Sequence, residues 1–304
     1  MNSLSVSPHI HSGRSTTKIM EDVIIALLPT TIAGTIIFGL RSLLVVLVCV
    51  ASSVLFEALF NLVAKKEQTV WDLSAAVTGL LLALNLSASI PLWQCVVGSF
   101  FAIVIVKCIF GGIGKNLVNP AITARVFMLI AFSTLAKYDF PKGTPEAIAS
   151  ATPLTAEELP SLMDLLLGKH GGTIGETSTL ALLIGGIYLI ARGVISWHIP
   201  VTFIGTVYIF ANIFEATPAV ALGHTMAGGL FIGAIFMATD YTTSPETPFG
   251  KIIFGIGCGL LTGLIRYFGS YPDGVSFAIL FMNILTSYIC NWTRRKVFTE
   301  GGKK

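Results

Sequence analysis

Charge is scarce in this chain. Asp, Glu, Lys and Arg make up 12% of its 304 residues, against about 25% in soluble domains, which argues against a freely soluble fold. The formal net charge is only +3, and no basic cluster is interleaved with aromatics, so no nucleic-acid partner is expected. Cysteines are few: Cys49, Cys95, Cys108, Cys258 and Cys290, nearly all inside apolar runs and none in a C-x-x-C pattern. Disulfide staples, a zinc site or an iron–sulfur cluster held by this chain alone are therefore not expected. The histidines do not pair at ligand spacing within the apolar runs, so haem has no axial ligands there. The G-x-S-x-G elbow, H-E-x-x-H, the Walker loop and the glycine fingerprint of a strand–helix unit are also missing, which argues against a hydrolase or ATPase working alone.

What is present is apolar. Hydrophobic residues reach 54%, with 30 glycines. A spanning helix needs about 20 apolar residues, and candidate spans fall at 22–40, 42–63, 72–88, 92–110, 119–136, 179–192, 199–215, 222–239, 250–267 and 275–293. Asn85 and Asn212 lie inside spans, which marks those spans as packed among other helices. Residues 1–20 are polar and mildly basic, and the apolar run after them is too long for a signal-peptide core. With the N-terminus inside, the inner loops carry Lys65, Lys66, Lys107, Lys115, Arg125 and Arg192, and the inner tail Arg294, Arg295 and Lys296. The long segment 137–178 is acidic and falls outside, in accord with the positive-inside rule.

The stretch 79–88 (GLLLALNLSA) resembles 229–238 (GLFIGAIFMA). Each is followed by a polar break with a proline, another span, a cationic exit at Lys107 or Arg266, and a Gly-rich turn. Copies five spans apart run in opposite directions. The expected fold is an all-α polytopic membrane protein of about ten transmembrane helices in two inverted five-helix repeats. Its expected parts are a cytoplasmic arm (1–20), the first repeat (21–136), an extracytoplasmic loop (137–178), the second repeat (179–293) and a cytoplasmic tail (294–304).

Four polar constellations stand out against this background. In Ala149-Ser150-Ala151-Thr152-Pro153-Leu154, small residues flank one threonine and the proline holds the backbone extended, presenting a hydroxyl to a modifying enzyme; a plain turn is the alternative. At the inner face, Gly111 to Ala121 combines Gly-rich backbone with Asn116 and Asn119 at a helix start, which suits an anionic or amide-bearing ligand or a tight helix–helix turn. Asp240 ends an apolar span there, as an ion ligand, an acceptor for a ring N–H or a cap. On the outer side, Gly171 to Ser178 leads into a span. The backbone N–H groups of Gly172 and Thr173 with the hydroxyls of Thr177 and Ser178 would hold a phosphate, Glu176 would act as a cap or turn aside, and Arg266 would supply a fixed cation.

At these residues the chain resembles the D subunits of the Rnf ion-translocating ferredoxin:NAD oxidoreductase complex and, more distantly, the B subunits of the sodium-translocating NADH:quinone reductase. The resemblance covers nearly the whole length. It rests on Ser7-Pro8-His9-Ile10-His11-Ser12, the run from Asp22 to Pro29, Asn116-Leu117-Val118-Asn119-Pro120-Ala121, Ser150-Ala151-Thr152-Pro153-Leu154, Gly175-Glu176-Thr177-Ser178 and the run from Tyr271 to Ala278.

The resemblance implies an electron-carrying subunit in a bacterial or archaeal cell membrane. FMN would be esterified through its phosphate to Thr152 by a separate flavin transferase, and a second, non-covalent flavin, riboflavin, would lie near Asn116, Asn119 and Asp240. The implied partners are the other membrane and soluble Rnf subunits and the lipid bilayer. Electrons would pass between ferredoxin and NAD, coupled to Na+ or H+ movement. A solute transporter or channel is the competing reading, since inverted repeats with broken helices are common there.

Overall fold

The computed structural model describes residues 15–132, 139–141, 160–269 and 274–294. Among them the chain is helical, with one isolated antiparallel bridge, Asp139 to Gly172. The helices are α1 (Thr16–Phe38), α2 (Leu40–Val63), α3 (Ser74–Leu84), α4 (Leu92–Cys108), α5 (Pro120–Ala131), α6 (Leu162–Leu167), α7 (Thr179–Ala191), α8 (His198–Phe214), α9 (Pro218–Met226), α10 (Leu230–Met237), α11 (Pro248–Phe268) and α12 (Val275–Thr293).

Local chemistry fixes where they start. Asn119-Pro120, Thr217-Pro218 and Thr247-Pro248 each place a capping side chain before a proline at the first helical position. The cap accepts orphan N–H groups, as Asn119 does from Ala121 and Ile122. Ser15 and Ser178 cap α1 and α7.

Four helices, α1, α2, α11 and α12, are long and apolar enough to cross a membrane, and α9 with α10 forms a further pair bent by 66°. The remaining apolar helices, α3, α4, α5, α7 and α8, are shorter. On α1 the exposed apolar side chains Ile25, Leu28, Ile32 and Ile36 recur every three to four residues. Such a stripe faces lipid or a neighbouring subunit, not water. On the inward side small residues let helices approach: Gly255, Gly259 and Gly263 of α11 lie against Thr202, Thr206 and Phe210 of α8. The chain is a multi-pass membrane protein.

Several expected boundaries move. The first helix begins at Thr16, not at 22, and the span expected over 72–88 stops at Leu84. The span expected over 222–239 is broken at Ala227–Gly229. Two expected loop cations are not in loops. Lys107 closes α4 and is 1% exposed, and Arg125 lies within α5 and is 7% exposed. A hydropathy window cannot foresee this, because a buried partner cancels the cost that pushes a lone cation outward.

Candidate functional site

The start of α1, the start of α3, the ends of α4 and α7, and the links around Asn119 and Asp240 meet at one end of the bundle and enclose a cleft. Its empty space is about 780 Å³, a figure that counts the open mouth. Apolar groups such as Met20, Val77, Leu81 and Phe236 form most of the wall, and Asn116, Asn119, Asp240 and Lys107 converge on it. The three inner-face residues singled out from the sequence thus line one cavity, although Asn119 and Asp240 are 121 positions apart in the chain.

Their roles differ. Asn119 caps α5 and donates its amide to the Met237 carbonyl at 3.2 Å, and its backbone N–H is taken by Asn283. Asp240 accepts from the hydroxyls of Thr242 and Thr243 at 2.8 and 3.1 Å. Burial pushes its carboxyl above the ordinary range, and those donors hold it back. The capping alternative therefore describes Asp240, and Asn119 is a cap as well. Asn116 is different: its Oδ1 is buried with no partner among the described residues. An orphan acceptor in the wall of a largely apolar cleft is what a ligand ring N–H would satisfy.

Both π-helical segments among the described residues end at this cleft. Phe101–Cys108 carries Lys107, and Gly233–Met237 carries Phe236 and the Met237 carbonyl that Asn119 bonds. A π turn shifts the register of the side chains after it, and such turns concentrate at functional sites.

The segment from His170 to Thr179 is buried throughout. It plugs the C-terminal end of α3, whose last carbonyls have no helical partner. Gly175 N–H and the Thr173 hydroxyl donate to the Leu84 carbonyl at 2.7 and 3.1 Å, and Ile174 N–H donates to Leu86 at 3.0 Å. Glu176 binds Arg125 at 2.9 Å and accepts the Thr173 N–H at 3.4 Å, Gly172 N–H goes to Asp139, and Ser178 caps α7. The amide donors expected to face a phosphate are turned onto the chain itself; the Thr177 hydroxyl, buried, has no partner among the described residues. Arg266 does not stand open toward solvent as a bare cation. It donates to the carbonyls of His224 and Ala227, closing the last turn of α9.

Thr152 lies outside the described residues, but residues near it on both sides are fixed. Asp139 accepts from Ser87 and Ser89 at the break after α3. Downstream, α6 packs on the start of α7 through the Thr179 hydroxyl and the Leu165 carbonyl. The α3 break and the start of α7 belong to the end of these helices away from the Lys107 cleft, which takes the start of α3 and the end of α7. Sequence reasoning missed Glu57, Lys107 and Arg125 as interior charges; their signal was a charged residue inside an apolar run.

Comparison with known proteins gives a consistent picture. The sequence model described as the NQR2, RnfD, RnfE family matches residues 3–299. The D subunit of the Na(+)-translocating ferredoxin:NAD(+) oxidoreductase complex of Acetobacterium woodii is 46% identical, over 97% of this chain and 94% of that one. The D subunit of the proton-translocating ferredoxin:NAD(+) oxidoreductase complex of Clostridium ljungdahlii is 41% identical, over 96% and 94%. The D subunit of the ion-translocating oxidoreductase complex of Stutzerimonas stutzeri is 37% identical, over 95% and 94%.

Proposed function

The chain belongs to the NQR2, RnfD, RnfE family, and from that premise we propose that it is the D-type membrane subunit of an ion-translocating ferredoxin:NAD+ oxidoreductase complex. It works only with the other membrane and soluble subunits of that complex. It carries electrons between ferredoxin and NAD, coupled to movement of Na+ or H+. Its relatives are named for both ions, so family membership leaves the ion open.

We assign it two flavins. FMN is esterified to Thr152 by a flavin transferase on the extracytoplasmic side, and riboflavin sits in the cleft at the cytoplasmic end. A flavin supplies one- and two-electron transfer, and two of them divide a hydrocarbon core about 30 Å thick into shorter steps. The observation that carries the second site is the orphan Asn116 Oδ1 in a mostly apolar cleft. Asn116 would accept a ring N–H; Asn119 and Asp240 would hold the wall in shape through their caps. For the first site, Thr177 offers a buried hydroxyl with no partner among the described residues. Gly172, Thr173, Glu176 and Ser178 act one step back, by holding the segment that leads into α7, and Arg266 by fixing α9.

The short helices complete ten spans in two inverted halves, α1 to α5 and α7 to α12 with α9 and α10 as one broken span. Both termini are cytoplasmic. The end of α3 meets the end of α10, with Asn85 Nδ2 3.5 Å from Met237 Sδ, which supports that pairing of halves.

The test is to count flavin in two fractions of the complex, one released on denaturation and one retained on this chain. One of each is expected, and Thr152→Ala loses only the retained one. A chain with neither flavin defeats the reading.

A further inference from the structure

Lys107 is the one residue in the wall of the cleft whose charge is fixed from behind. Its ammonium lies 2.7 Å from Glu57 Oε1 and 2.6 Å from Ser74 Oγ, and the residue is 1% exposed. Glu57 does not line the cleft; it comes from α2 and is 2% exposed. The pair is held by further contacts. Thr69 donates to Glu57 Oε1 at 3.0 Å, Asn61 donates to Thr69 at 3.0 Å, and the Ser74 hydroxyl donates to Asp72. An ammonium has three N–H donors. Two are engaged with Glu57 and Ser74, which leaves one for the cavity the residue lines.

A buried ion pair is seldom kept for stability, since apolar residues of similar volume do as well or better. Here the pair is oriented, with its positive end in the wall and its negative end one layer back. The other carboxylate in the wall, Asp240, is turned onto the Thr242 and Thr243 donors.

We propose that Lys107 sets the electron affinity of the redox ring bound in this cleft, with Glu57 as the counter-charge that limits it; this rests on the assignment of a flavin to the cleft. One-electron reduction, by a reduced redox group of a neighbouring subunit, adds one negative charge to the ring, and passing that electron on removes it. Lys107 makes and breaks no covalent bond and transfers no proton. It favours the charged state by proximity in a medium of low dielectric.

The experiment uses the full-length chain carrying Thr152→Ala, so that only the releasable flavin is present, and follows that flavin by potentiometric titration. Glu57→Gln keeps the shape and an acceptor for Lys107 but removes the counter-charge. It is expected to raise the reduced-to-oxidised ratio at a given ambient potential about tenfold, about 59 mV for a one-electron step. Adding Lys107→Met to Glu57→Gln leaves no lone buried charge and is expected to bring the ratio back to the starting value or below. Equal potentials in the Glu57→Gln and double variants overturn the role of Lys107 while leaving the flavin site standing. A starting protein that releases no flavin overturns the site itself and this role with it. Should one variant fail to assemble, the other decides alone: for Glu57→Gln a rise supports the role and no change or a fall ends it, and for the double variant a ratio at or below the starting value supports it and a rise ends it.

Discussion

Arg125 of α5 donates to Glu176 in the segment before α7 across 2.9 Å, with both side chains buried. Arg125 also donates to the side-chain amide oxygen of Asn85, the residue that follows α3. One guanidinium therefore ties α5 to the residue after α3 and to the segment before α7 through their side chains. Non-helical backbone is tolerated at membrane depth only when protein surrounds it. α5 is capped by Asn119, in the cleft wall, so the same short helix runs from the cleft to the plug formed by residues 170–179.

Removing one partner of this pair strands a charge. Arg125→Met or Glu176→Met is expected to destabilise the protein by about 3–5 kcal/mol, whereas the double Met variant recovers most of that loss. Thermal unfolding in detergent, with all three variants compared in one cycle, reads this directly. Equal destabilisation by the double and the singles would mean that the two side chains act independently.

His170 gives the plug a pH dependence. Its ring nitrogens lie 3.0 Å from the Gly171 and Thr177 carbonyls, and burial lowers its pKa below 6.5 although both carbonyls favour the charged ring. A folded-state pKa below the unfolded value means that the unfolded state binds the proton more tightly. The contribution to stability is complete above pH 6.5 and is lost as pH falls through the folded value. Hydrogen-exchange protection of residues 170–178, corrected for intrinsic rates, is expected to drop between pH 7.5 and 5.5. His170→Gln should flatten that change.

The sequence showed much of this fold because apolar length and capping residues act locally. Asn119-Pro120 marks the start of α5 in the chain itself, and Asn116, Asn119 and Asp240 could be grouped because each ends or begins an apolar run on the expected inner side. Interior pairing was out of reach. Lys107 and Arg125 read as loop cations, since nothing in a linear pattern says that Glu57, 50 positions from Lys107, or Glu176, 51 from Arg125, will neutralise them. The Gly171 to Ser178 stretch read as a phosphate cradle for the same reason. Its donors looked free until the carbonyls of Leu84 and Leu86 came into view.

Close approach of α1 and α7 depends on Gly185. A Cβ there would lie 2.2 Å from the Ala26 carbonyl oxygen, a backbone atom that cannot step aside. Gly185→Ala is expected to cost about 1–3 kcal/mol through forced backbone shifts. Gly205→Ala in α8, where a Cβ meets nothing within 4 Å, is expected to be neutral or to stabilise by up to about 1 kcal/mol. Unfolding temperatures of the two variants should therefore move in opposite directions or differ clearly; a matched loss at both sites would refute the packing argument.

Asn116 separates the two proposed flavins most cleanly. Its Oδ1 is the orphan acceptor of the cleft, whereas the Asn119 side chain is already committed to Ala121, Ile122 and Met237. Asn116→Leu keeps similar bulk but leaves a ligand N–H unsatisfied, at about 1–3 kcal/mol. Releasable flavin should then bind roughly tenfold more weakly, since 1.4 kcal/mol is a factor of ten. The flavin retained on the chain should be unchanged, because the described residues on either side of Thr152, Asp139 and α6, lie at the other end of the bundle. Asn119→Ser, which preserves a cap, should lose less than Asn116→Leu. Titrating riboflavin into flavin-stripped protein by fluorescence quenching measures both, and Asn116→Leu binding as tightly as the parent would remove that amide from the site.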